Sequence, residues 1–253
     1  MTTTAPVENL DLEEEFDRGS FDSAAFAAQA LSSRQSLAAV IGHALLIPAA
    51  TRRQIEKLCA EAVRYRFAGV MVNPIWASTA VAALAGAGIP VGAVIGFPFG
   101  ASLASTLLQE TAALIRLGVQ ELDMVVPIGH LKSGNHHAVY QTIRAAAGIA
   151  HQHRALLKVI LETSLLTTEE KLRASEAAIQ AGADFIQTST GFASAGASPS
   201  DVALMRGVAG SRCGVTAAGG IRTLDDVRAL LDAGANRICS SASVAILREF
   251  GAQ

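Results

Sequence analysis

Stretches rich in alanine and leucine, spaced as on a helix, repeatedly end in a glycine and give way to a short apolar run. The phrase recurs as AALAGAGIPVGAVIG, ALIRLGVQELDMVV, AIQAGADFIQTS and LLDAGANRICSS. A glycine suits the left-handed cap of a helix, and an unbroken apolar run suits a strand covered on both faces. Read this way, the chain predicts strands near 38–43, 67–73, 91–96, 120–126, 155–161, 183–189, 213–217 and 236–240. Helical patterns lie between them, among them 51–66, 101–117, 135–152, 167–181, 223–233 and 242–250. Eight helix–strand repeats favour an α/β fold of one closed (β/α)8 TIM barrel over an open doubly wound sheet. An amphipathic segment at about 21–36 precedes the first strand as a helical extension. Residues 1–20 form an acidic tail expected to be mobile, and 21–253 form the barrel domain with its leading helix.

Such barrels carry chemistry at the C-terminal ends of their strands and on the loops that follow. Side-chain alternation along each strand selects the inward positions. Asp123, Lys158, Glu162, Gln187 and Thr216 are expected to face the interior. Neighbouring strands lie about 4.8 Å apart, so Asp123 and Lys158 are within reach of each other. Glu162 either neutralises Lys158 or caps the loop beyond it. The turn GGIRT (219–223) offers the backbone amides of Gly219 and Gly220 to an anion at a helix start. Ser240 and Ser241 precede the last helix in the same manner. Asn73 in VNP satisfies strand-end backbone groups or touches a ligand. His43 points by alternation toward the helix layer. The other histidines, 130, 136, 137, 151 and 153, fall on a loop and a helix without metal-ligand spacing.

Composition narrows the function. Hydrophobic residues make up 51% and charged residues 17% of the 253, ample for a large core, and the formal net charge of −2 comes without a basic stripe. Nucleic acid and anionic membrane are therefore not expected as partners. Three dispersed cysteines predict no disulfide and no zinc site, and so a reducing, cytoplasmic setting. The acidic start is unlike a signal peptide, and no apolar stretch is long enough to span a bilayer.

The strand tips, in order, resemble deoxyribose-phosphate aldolase. The pieces that carry the likeness are GFPFGA, ELDMVVPIGHLKSGN, LLKVILET, AGADFIQTSTGF, AAGGIRT and RICSSASVAI, and it runs from about His43 to Ile246. The resemblance implies a barrel joining acetaldehyde to glyceraldehyde 3-phosphate through a lysine Schiff base, with no metal or cofactor. Asp123 matches the family's catalytic aspartate and Lys158 a further family lysine. The Schiff-base lysine itself aligns with Gln187, whose amide nitrogen is delocalised into its carbonyl and forms no imine. The lysine that lowers the pKa of the first aligns with Thr216. Where the family has Asp-His-Thr-Leu-Leu-Lys, this chain reads GHALLI and places Gly42, Ala44 and Ile47 at the Asp, Thr and final Lys. The family's glycine and one hydroxyl at the last strand become Cys239 and Ala242, and Phe192 follows TSTG.

Three functions follow as expectations. The first is a repurposed enzyme handling a small carbonyl compound, phosphorylated or not, without an imine. Asp123 moves a proton, Lys158 stabilises an oxyanion, Glu162 assists, and Gln187, Thr216, Asn73, Ser189, Gly219, Gly220 and Ser241 bind substrate. Enolisation, dehydration, cyclisation or an aldol-type bond change all fit this set. The second is a deoxyribose-phosphate aldolase with its Schiff base relocated to Lys158. The third is a non-catalytic binding or scaffold barrel. The Ala- and Leu-rich helices leave room for a homodimer.

Overall fold

In the computed structural model, described for residues 20–251, eight parallel strands close into a barrel in chain order. They are β1 Ile41–Leu45, β2 Gly69–Val72, β3 Val91–Ile95, β4 Glu121–Val125, β5 Leu156–Ile160, β6 Phe185–Gln187, β7 Gly214–Ala218 and β8 Arg237–Ser240. Around them run α3 (Arg52–Tyr65), α4 (Ala77–Ala83), α5 (Ala104–Arg116), the short α6 (Ile128–Lys132), α7 (His136–Gln152), α8 (Thr168–Gln180), α9 (Pro199–Ala209), α10 (Leu224–Asp232) and α11 (Ser243–Phe250). Two short helices, α1 (Ser23–Ala30) and α2 (Arg34–Ala38), precede β1. The fold is the TIM barrel that the repeat predicts. The tail expected at 1–20 lies outside the described residues except for Ser20.

The strands match the apolar runs, with one shift. The run read at 38–43 becomes strand only from Ile41, because Ser33 caps α2 by accepting from the Ser36 amide and draws 34–38 into that helix. The helical ranges read from periodicity do not include α4, the short α6 or α9. Helix α4 is seven mostly small residues, ASTAVAA, that show no apolar stripe. Helix α9 begins at Pro199 behind Ser198, whose side chain caps it by accepting from the Asp201 amide. The extension is tied to the barrel by Arg206. Its guanidinium lies 4.0 Å over the Phe21 ring while Nε donates to the Gly234 carbonyl at 2.9 Å and Nη1 to the Gly210 and Cys213 carbonyls at 2.7 and 3.0 Å.

Alternate residues divide each strand between two cores. Leu122, Met124, Leu157, Val159, Ile186, Val215 and Ile238 pack outward into the large core shared with the helices. Inside the barrel a separate apolar cluster of Ala44, Met71 and Val94, with Leu46, Phe97 and Cys239 against it, fills the side built mainly by β1–β3. The side built by β4–β7 carries the polar and charged residues instead.

The loops that follow β6 and β7 touch backbone to backbone. The Ala197 amide donates to the Gly219 carbonyl at 3.0 Å, and a Cβ placed on Gly196 meets that carbonyl oxygen at 2.2 Å. Backbone cannot swing aside as a side-chain end can, so Gly196→Ala is expected to separate the two loops. The cost is about 1–3 kcal/mol, the range for overpacking, and urea unfolding of the variant against the parent protein measures it.

Candidate active site

Strands β4 and β5 set Asp123 directly opposite Lys158 in the ladder. Lys158 donates through Nζ to Glu121 Oε2 and lies 3.4 Å from Asp123 Oδ1. The other Glu121 oxygen is 3.8 Å from Arg237 Nη1, at the start of β8. Both cations also approach the Phe185 ring, Lys158 at 6.0 Å and Arg237 at 5.6 Å from its centroid. The result is a row of alternating charge, Arg237–Glu121–Lys158–Asp123, with its last three members buried. The sequence reading places Asp123 and Lys158 together, as they are found. It misses Glu121 and Arg237. The signal for Glu121 was present, since residues two apart in ELD share one strand face.

Burial dominates the electrostatics of this row, and the neighbours decide its sign. For Asp123, burial pushes the carboxyl up to about 6, with Lys158 opposing and Glu121 adding to the rise. For Lys158, burial alone favours the neutral amine, but Asp123 and Glu121 outweigh it and hold its pKa above the ordinary lysine value. Burial raises Glu121 as well, yet Lys158 and Arg237 prevail and leave it below the usual carboxylate range. Near neutrality Lys158 is an ammonium and Glu121 a carboxylate. Asp123 is poised to exchange a proton, the property expected of a general base.

Above this row, polar groups line the β6–β7 side. Gln187 is the ladder partner of Ile160 and Thr216, one inward step beyond Phe185, the partner of Lys158. Its Nε2 donates weakly to the Ser189 carbonyl at 3.4 Å. Gln187 Oε1, Ser189 Oγ and Thr216 Oγ1 are buried without a protein partner. Unpaired buried groups cost about 1–3 kcal/mol each, so a polar group that paired with them would recover that cost. Glu162 sits apart from Lys158. It accepts from Thr190 through both the hydroxyl and the amide, the latter at 3.2 Å, and so binds the β5 loop to the β6 loop. Its left-handed backbone, φ 57°, is a strained setting for a non-glycine residue. Of its two expected roles, the loop contact is the one its partners describe.

The remaining sequence-read positions fall at the mouth. Asn73 Nδ2 donates to the Leu46 carbonyl at 2.9 Å, tying the ends of β1 and β2. Gly219 and Gly220 adopt φ of 91° and 76°, and the space over Gly220 is open. Ser241 is exposed there, whereas Ser240 is buried, its hydroxyl donating to the Ile221 carbonyl at 2.8 Å and accepting from the Ala242 amide at 2.9 Å. His43 lies outside the barrel as alternation predicts, 3.2 Å from Glu61 of α3 and stacked on Phe67. Burial lowers its pKa and keeps it neutral. Cys239 reaches the interior beside these groups, and burial, reinforced by Asp123, holds its thiol up at about 12. Among the described residues no set of His, Cys, Asp or Glu is placed to hold a metal, and no helix is long and apolar enough to cross a membrane.

The description "DeoC/LacD family aldolase" matches residues 24–250, nearly the whole chain. The chain belongs to that family. It is 48% identical over 212 residues to the deoxyribose-phosphate aldolase of Geobacillus sp. (strain WCH70) and 50% identical over 214 residues to that of Halalkalibacterium halodurans. Each alignment covers 84% of this chain and 95% of the relative. In three dimensions it is similar to the tetrameric deoxyribose phosphate aldolase from Aeropyrum pernix, with a TM-score of 0.84 and 31% identity over 91% of this chain and 97% of the other. The family resemblance carried by the strand-tip motifs is thereby established.

The charge row makes a directional prediction. Glu121→Gln removes a negative neighbour from Asp123 and leaves Lys158 to it alone, so Asp123 should titrate below its value of about 6. Lys158→Met removes the cation that restrains Asp123 and should move its titration upward. Carboxyl-carbon NMR titration of aspartate-labelled protein reads both shifts, and equal values in parent and variants would contradict the coupling.

Proposed function

We propose that this chain is an aldol-type lyase acting on a small aldehyde of the deoxyribose-phosphate kind, with Lys158 as the amine of its cavity. The relatives named deoxyribose-phosphate aldolase, at 48–50% identity over 95% of their own length, weigh toward this reaction. They give less weight to a barrel turned to enolisation, dehydration or cyclisation. The observation that carries the reading is Lys158 buried beside Asp123 at the centre of the barrel.

In this route Lys158 sheds its proton, attacks the aldehyde carbon and loses water to form the imine. The cleaved bond lies between the next two carbons. Asp123 takes the proton of the β-hydroxyl, the carbon–carbon bond breaks into a new aldehyde and an enamine, and protonation and hydrolysis release the second aldehyde. Gln187, Thr216 and Ser189 bind substrate hydroxyls through their unpaired oxygens. Gly219, Gly220 and Ser241 line the mouth where a phosphate enters. Free amine is scarce at neutral pH, because every unit between the working pH and the Lys158 pKa costs about 1.4 kcal/mol. The imine route therefore accelerates as pH rises.

A second reading is favoured by the two carboxylates that hold Lys158 as an ammonium. Here the same bond breaks without an imine, Asp123 takes the hydroxyl proton, and the Lys158 ammonium stabilises the enolate oxygen. Its rate falls as pH drops through about 6, where Asp123 becomes protonated, and is level above. We assign the protein to a reducing, cytoplasmic setting on its cysteine usage, three dispersed thiols with no disulfide among the described residues.

Borohydride reduction in the presence of acetaldehyde, followed by peptide mass mapping, separates the two routes. The expected result is an adduct at Lys158 and turnover of 2-deoxyribose 5-phosphate that rises with pH. Turnover without adduct, with an acid limb near 6, transfers the reaction to the second route. Lys158→Met and Asp123→Asn should each lower kcat/KM by about 10²–10⁴-fold, the scale of acid–base catalysis. Unchanged activity in both variants removes the site assignment.

A further inference from the structure

Two near misses flank the ion pair at the centre of the charge row. Lys158 bonds Glu121, yet Asp123 Oδ1, 3.4 Å from the same ammonium, is buried with no hydrogen-bond partner. Arg237 Nη1 is likewise buried and unpartnered, and it lies 3.8 Å from the second oxygen of Glu121. One idle acceptor and one idle donor thus stand at the two ends of a single hydrogen bond. Charge-assisted bonds close at about 2.7–2.9 Å, so each gap exceeds that by roughly 0.5–1 Å. When the ammonium moves to Asp123 and the Glu121 carboxylate moves to Arg237, one bond is exchanged for two, and both idle atoms gain partners. Strand geometry suits the exchange. Glu121 and Asp123 share one face of β4, two residues apart, so the ammonium passes between them along the strand. The Phe185 ring, 6.0 Å from Lys158 and 5.6 Å from Arg237, attracts both cations.

We infer that Glu121 and Arg237 are positioning residues of the proposed reaction: Glu121 parks the Lys158 ammonium, and Arg237 releases it to Asp123 by drawing Glu121 to itself. In the parked arrangement the amine is bonded away from Asp123. In the released one, the amine and the proton acceptor of the same reaction are in contact. The inference rests on the aldolase reading for the reaction alone; the exchange of partners rests on the distances and the idle atoms. Arg237 acts through Glu121. The two residues, although neighbours in one ion row, therefore affect Lys158 in opposite directions: loss of Glu121 frees the amine, and loss of Arg237 leaves it parked.

The test uses the full chain with acetaldehyde and borohydride at neutral pH, and reads the rate of adduct formation at Lys158. Glu121→Gln removes the parking charge and should raise that rate about three- to tenfold, within the tenfold change in free amine per pKa unit. Arg237→Gln leaves Glu121 to Lys158 alone and should lower the rate by a similar factor. The double variant should match Glu121→Gln, because Arg237 then has nothing to draw away. An ion row that serves stability alone predicts losses in both single variants, and that result overturns the inference. So does a double variant slowed, relative to Glu121→Gln, by the factor that Arg237→Gln imposes on the parent, since Arg237 would then act on Lys158 directly. A crystal structure of Glu121→Gln reads the position without reference to any reaction. Lys158 Nζ is expected within hydrogen-bond distance of Asp123, and a gap that stays at 3.4 Å overturns the inference. A shifted lysine with no adduct in the parent or any variant removes the imine route and leaves the positioning. Adduct at Lys158 with the lysine unshifted does the reverse.

Discussion

The charges inside this barrel are organised by one ammonium held between two carboxylates. Lys158 is buried, and a lone buried lysine gives up its proton. Glu121 and Asp123 on the adjacent strand prevent that, and Arg237 balances the second carboxylate. Two cations and two anions in a row carry no net charge, which makes their burial tolerable. The row still leaves its members unequal. Glu121 is shared by both cations and stays ionised, whereas Asp123 faces only one and is left near neutrality. That asymmetry turns a structural ion cluster into a site able to exchange a proton.

The ladder makes the arrangement rigid. Asp123 and Lys158 are direct partners across two strands whose outward residues are locked in the main core. The geometry of the charges is thus set by strand register, which cannot slip by one residue without turning every inward side chain outward. The loops are secured separately, through the contacts of Glu162 with Thr190 and the Leu46 carbonyl that Asn73 holds just beyond β1. The buried charges thus sit on strands, and the contacts that join the strand ends sit on the loops beyond them.

The fold was legible because glycine caps and unbroken apolar runs are local signals, and they repeat. Its misses were local too: α2 displaced the start of β1 through a serine cap, and α4 lacked an apolar stripe to read. The Asp123–Lys158 pair was legible from alternation together with chain order. Arg237 was not, because β8 pairs with β7 and β1, and only closure of the barrel sets it across the interior from Glu121 on β4. The divided interior was also beyond reach. Ala44, Met71 and Val94 come from three different strands, and nothing in one stretch of sequence announces that they share a wall.

The backbone contact between Gly196 and Gly219 bears on where such a barrel is free to diversify. On that side Gly191, Gly196 and Gly219 crowd one another, with added Cβ atoms meeting neighbouring main chain or the Ser189 side chain. Any lineage that keeps this packing is barred from adding side chains at those three positions. Novelty in what the barrel accepts is thereby channelled to the opposite half, where side chains such as Phe99 and Ile75 stand in open solvent and can be exchanged without disturbing a strand.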